Sequence, residues 1–115
     1  MKRICIIDYG VGNIFGLKRA FHAVGALASV TEDPAEILTA DAVVLPGVGS
    51  FEAGMRGLES RGLASSIRDV CARDVPVLGI CLGAQLLLNT SYEFGTHAGL
   101  AVIPGEVTGM QLVDP

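Results

Sequence analysis

An α/β architecture is expected of this chain: one mostly parallel sheet in a three-layer arrangement, with helices on both faces. Short apolar runs alternate with stretches of helical periodicity, the pattern of βαβ units joined by right-handed crossovers. Half of the 115 residues are hydrophobic and only 17% are charged, which suits strands buried on both faces. Glycine-rich segments directly follow three of the apolar runs, and ligands of open α/β sheets sit outside the carboxyl ends of the strands.

The elements follow in order. "RICIID" reads as a buried strand. Ile14, Leu17, Phe21 and Val24 then recur at helical spacing, with Lys18 and Arg19 off that face. Gly25 stops the helix. "ALASVT" is a weaker second strand. "DPAEILTA" holds a short helix, with Asp33 as N-cap and Pro34 at the first helical position. "DAVVLP" is the third strand, and after "GVGS" a helix covers about residues 51–59, with Ser50 as its cap. Leu63, Ile67, Val70 and Cys71 mark one face of another helix. "VPVLGI" is the fourth strand and "LGAQLLLN" a helix. Beyond Asn89 the chain turns irregular, and "LAVIPGEVTGM" suggests two short strands around Pro104 and Gly105.

Composition removes several classes of function. A chain of 115 residues is one domain at most. The net charge of −4 argues against nucleic acid, which needs a basic footprint. The apolar run Ile4–Ile7 is too short for a signal peptide, and no window approaches a membrane span, so no membrane partner is expected. The three cysteines, Cys5, Cys71 and Cys81, show no CxxC or Cys/His spacing. Neither a disulfide framework nor a metal site is indicated, no cofactor is expected, and the setting is reducing and cytoplasmic.

The chemistry concentrates at Gly79-x-Cys81-x-Gly83. This has the form of a nucleophile elbow with Cys in place of Ser. The strand-to-helix turn is so sharp that its central residue is strained, and flanking glycines prevent collisions with packed neighbours. The thiol would stand at a helix N-terminus, which favours the thiolate. The Leu82 N–H would point to where an oxyanion forms on a carbonyl under attack. A buried small hydrophobe is the commoner fate of a free cysteine, and it is the reading for Cys5 and Cys71. In "LPGVGSF" (residues 45–51) two glycines let backbone approach a ligand, and a second oxyanion donor can come from this loop. "DYGVGN" follows a strand and opens a helix, yet Gly10, Gly12 and Gly16 are one residue too widely spaced for a dinucleotide fingerprint. A thiolate also needs a general acid for the leaving group. His22 lies deep in the first helix, about 13 Å from the active edge by helical rise. Nothing in the sequence fixes His97 at that edge.

"DYGVGN", "LPGVGSFEAGMRGL", "PVLGICLGAQLL" and "SYEFGTHAGLAVIPGEV" occur in order and at the spacing of the class I (triad) glutamine amidotransferases, which the chain resembles over essentially its whole length. "GICLG" is shared widely in that family. "PGVGSF" and "DYGVGN" are more specific, and resemble the glutaminase subunits of imidazole glycerol phosphate synthase in histidine biosynthesis. The resemblance implies a flavodoxin-like sheet. It implies that Cys81 attacks the glutamine side-chain amide, giving a γ-glutamyl thioester and ammonia. It further implies oxyanion N–H groups from Val48, Gly49 and Leu82, and a glutamine head group held by Gly49, Gln85 and Glu93. From the residues themselves, Gln85 reads as helix surface and Glu93 as a solvated loop charge. The implied partner is a (βα)₈-barrel cyclase subunit, docked near "YGVGN" and "PGVG".

The family's pattern includes a His-x-Glu pair near the C-terminus. Residues 1–115 end at "MQLVDP", before any such pair, so the expectation is an amidotransferase domain truncated before two of its three triad residues. An incomplete sheet with exposed apolar surface should result. A non-catalytic remnant that keeps the cyclase-binding edge, and a paralogue feeding ammonia to another synthase, are the alternatives.

Overall fold

The structure, a computed structural model, describes residues 2–110. Its main sheet contains β1 (Ile4–Ile7), β2 (Ala28–Thr31), β3 (Ala42–Leu45) and β4 (Val77–Gly79), in the order β2-β1-β3-β4 with every pair parallel. The crossovers carry α1 (Ile14–Ala23), α2 (Pro34–Leu38), and the pair α3 (Phe51–Ser60) and α4 (Leu63–Ala72). After β4 comes α5 (Leu82–Leu86).

Alternation along the strands divides the core. Cys5, Ile7, Val43 and Leu45 face α2, α3, α4 and α5, and pack with Ile37, Phe51, Leu58, Leu63, Ile67 and Leu86. Ile6 and Val44 face the other way, against Ile14 of α1 and Ala28. Helices therefore cover both faces of the sheet, but unequally. Local chemistry starts the helices as expected: Asp33 accepts from the Ala35 N–H at 2.9 Å and Ser50 from the Ala53 N–H at 3.2 Å. Asn13 caps α1 through the Gly16 N–H at 3.2 Å.

Five expectations are corrected. Val24 is not on the buried face of α1 but 81% exposed, because the helix ends at Ala23 and the chain turns at Gly25. Among the described residues β4 is an edge strand, not one buried on both faces, and Leu78 is 53% exposed. The helix expected over "LGAQLLLN" stops at Leu86. Its closing carbonyls are taken by a strap, residues 99–103: Leu86 accepts from the Leu100 N–H at 2.8 Å, Leu87 from Val102 and Ile103 at 2.9 Å each, and Leu88 from Ala101 at 3.1 Å. The first of two strands expected in "LAVIPGEVTGM" is this strap instead. Ala101 takes φ 58°, which no extended strand permits. Nor is the chain past Asn89 irregular: β5 (Thr90–Ser91), β6 (His97–Ala98) and β7 (Glu106–Val107) form a second sheet in the order β6-β5-β7. Among the described residues no helix is long and apolar enough to cross a membrane.

Candidate active site

The loops after β1, β3 and β4 meet at the carboxyl edge of the main sheet. Backbone bonds lace the last two together: the Ile80 N–H donates to the Leu45 carbonyl at 2.9 Å, and the Leu82 N–H to the Gly47 carbonyl at 3.3 Å. Tyr9, at the end of β1, is 1% exposed and donates its hydroxyl to the Pro46 carbonyl. Burial pushes that hydroxyl's pKa well above its ordinary value.

Cys81 stands at the junction of β4 and α5 with φ 57° and ψ −123°. Few non-glycine residues adopt such a backbone. It presents the thiol outward, and Cys81 is exposed while Cys5 is fully buried and Cys71 half-buried. The flanking glycines are explained by proximity. A β-carbon on Gly83 would collide with the Leu45 carbonyl oxygen, and one on Gly79 would lie 2.7 Å from the Ala84 Cα. The turn thus has no room for a side chain at either flanking glycine, while Cys81 between them is exposed.

The other candidate residues fall around this point. Gln85 is exposed on α5, one turn beyond Cys81, and its N–H donates to the Cys81 carbonyl at 3.3 Å. Val48 is 58% exposed in the loop after β3, and Gly49 beside it takes φ 102°. Glu93 reaches back from the loop after β5, where its Oε1 accepts from the Phe51 N–H at 2.9 Å, two residues past Gly49. The Leu82 N–H is engaged by Gly47 rather than pointing into open space.

Neither histidine is hydrogen-bonded to Cys81. His22 lines a groove with Ile4 and Ala28, at the amino ends of β1 and β2, on the edge opposite the thiol. His97 lies along α3, its Nε2 3.1 Å from the Phe94 carbonyl and 3.8 Å from Glu52.

Residues 5–110 match the family model for glutamine amidotransferase class-I. The chain belongs to the class I glutamine amidotransferases. Among curated relatives, imidazole glycerol phosphate synthase subunit HisH of Moorella thermoacetica is 51% identical over 107 residues, covering 93% of this chain and 51% of the relative. The subunit of the same name from Salinibacter ruber is 48% identical over 109 residues, covering 95% and 50%. A crystal structure titled glutamine amidotransferase superposes with a TM-score of 0.72 at 17% identity, over 89% of this chain and 54% of the other, and supports the fold. The chain spans about half the length of the curated relatives it matches.

Three groups around the Cys81 turn were not read from sequence: the Tyr9 hydroxyl, the Gly47 carbonyl and the Phe51 N–H. All three bonds join residues more than 30 positions apart, or backbone groups whose direction no residue type announces. Tyr9 alone left a trace, as the one aromatic residue in "DYGVGN".

Proposed function

We propose that this chain forms the nucleophile-bearing part of the glutaminase subunit of an imidazole glycerol phosphate synthase. The observation that carries the reading is Cys81, exposed at φ 57° on the turn between β4 and α5, in a chain about half identical to subunits of that name.

The chemistry is acyl transfer. The Cys81 sulfur attacks the side-chain carbonyl carbon of glutamine, and the carbonyl π electrons move to oxygen. Collapse of that intermediate breaks the carbon–nitrogen bond; the nitrogen leaves as ammonia with a proton from a general acid, and a γ-glutamyl thioester remains. Water then releases glutamate. The oxyanion needs N–H donors. Leu82 can supply one only if the Gly47 carbonyl swings away, and rotating the Gly47–Val48 peptide brings the Val48 N–H round to the same side. That rotation turns about ψ of Gly47 and φ of Val48, and Gly49, with its positive φ, follows as the further oxyanion donor and head-group contact of this loop. Gln85 and Glu93 take the head group of the substrate. The acid and base come from a His-x-Glu pair outside these 115 residues. Ammonia passes to a cyclase subunit docked on the edge formed by "YGVGN" and "PGVG", in the cytoplasm.

A glutamine-analogue chloroketone tests this. Mass spectrometry should find it on Cys81, saturably, with L-glutamine protecting. Steady-state glutaminase turnover by residues 1–115 should be undetectable, even with the cyclase. Robust turnover that survives His97→Ala but dies with Cys81→Ala would overturn the assignment of the base.

A further inference from the structure

A carboxylate on an exposed loop ordinarily samples many rotamers and pays entropy to bind. Glu93 is tied at both ends instead. Its side-chain Oε1 accepts from the Phe51 N–H at 2.9 Å, and its backbone N–H donates to Ser91 Oγ at 3.2 Å. Ser91 is fully buried, and it occupies the central strand of the second sheet, in register with His97 on one side and Val107 on the other. Its hydroxyl is thus a fixed point, which turns the chain out of β5 and aims Glu93 at the start of α3. The Phe51 bond occupies one carboxylate oxygen. Oε2 makes no hydrogen bond or ion pair with any described residue. One anchored oxygen and one open oxygen, at the rim of the Val48–Gly49 loop, suit a charge-assisted bond to the ammonium group of an amino acid.

We propose that Ser91 is a positioning residue for substrate binding, its buried hydroxyl holding Glu93 where the carboxylate receives the substrate's α-ammonium group. The inference rests on the glutaminase reading of the site. It goes beyond that reading in assigning a role to a buried strand residue that touches no substrate.

Inactivation of residues 1–115 by the glutamine-analogue chloroketone separates binding from reaction. The half-saturating concentration reports the head-group contacts, and the maximal rate constant reports Cys81. Ser91→Ala should raise the half-saturating concentration about tenfold, roughly the loss from one unmade hydrogen bond, and leave the maximal rate constant unchanged. Its rate of Cys81 alkylation by iodoacetamide, which has no head group, should match the unsubstituted chain. Ser91→Thr, which keeps the hydroxyl, should restore the half-saturating concentration. A half-saturating concentration within twofold of the unsubstituted chain overturns the proposal. So does a parallel fall in the maximal rate constant and the iodoacetamide rate, which would mark a merely structural role. Should Ser91→Ala fail to fold by circular dichroism, Ser91→Gly takes its place, and the same split decides. An unsubstituted chain that reacts without saturation sinks the glutaminase reading and this role with it. Saturation there, with no shift in the variant, sinks the role alone.

Discussion

Cys81 is the residue on which backbone and chemistry make opposite demands. Its φ of 57° and ψ of −123° cost a residue with a β-carbon about 1–3 kcal/mol, and a glycine almost nothing. Cys81→Gly should therefore be more stable than Cys81→Ala by at least 1 kcal/mol or so, although neither has a thiol. Urea unfolding of the two variants measures the difference, and equal midpoints would mean that the turn is unstrained. Tyr9 makes a different test, by pH. Burial raises its hydroxyl pKa far above the ordinary value near 10. The folded chain thus keeps a proton that the unfolded chain loses, and the stability involved is complete below about pH 10. Above that pH it should drain away at up to about 1.4 kcal/mol per unit. Tyr9→Phe should be less stable at neutral pH, because the Pro46 carbonyl loses its donor, and its stability should fall less steeply above pH 10.

At the level of elements, periodicity and punctuation were enough to read β1 through α4. Asp33, Pro34 and Ser50 announce helix starts through bonds that span only two or three residues. Leu63, Ile67 and Val70 recur on one face that is buried along its length. The elbow was legible for a similar reason, since a strained turn with glycines on both sides leaves a local signature. Legibility failed where distant backbone decides. α5 stops at Leu86 because the strap takes its carbonyls, and no pattern in "LGAQLLLN" encodes that. Arg68 holds the strap from the far side: its Nε donates to the Leu100 carbonyl at 2.9 Å and one terminal nitrogen to the Gly99 carbonyl at 3.5 Å. Arg68→Ala should lower stability by about 1–2 kcal/mol, as expected for charged donors lost from partly buried carbonyls. Hydrogen exchange should locate the loss at the amides of residues 100–103, and unchanged protection there would show that the strap holds itself.

Taken as a whole, the molecule is lopsided. Among the described residues four helices cover one face of the main sheet, and α1 alone covers the other. Beside α1 lies an apolar groove of about 250 Å³ between Phe21, Ile4, Val44 and the edge residue Leu78. An open strand edge next to exposed apolar side chains favours association between chains. Leu78→Lys should reduce concentration-dependent association in sedimentation velocity and leave the fold intact, since the side chain is already 53% exposed. Association that is unaffected would locate the contact elsewhere.

The strap also bears on the order in which the parts become available during synthesis. Cys81 leaves the ribosome well before Leu100 to Ile103 do, yet the short helix beneath it is closed by those later amides. A nascent chain that ends short of Ile103 has made Cys81 without the hydrogen bonds that finish α5. The turn that carries Cys81 is therefore one of the last parts of these residues to be fixed, and its thiol is not set in place until the chain that steadies it exists.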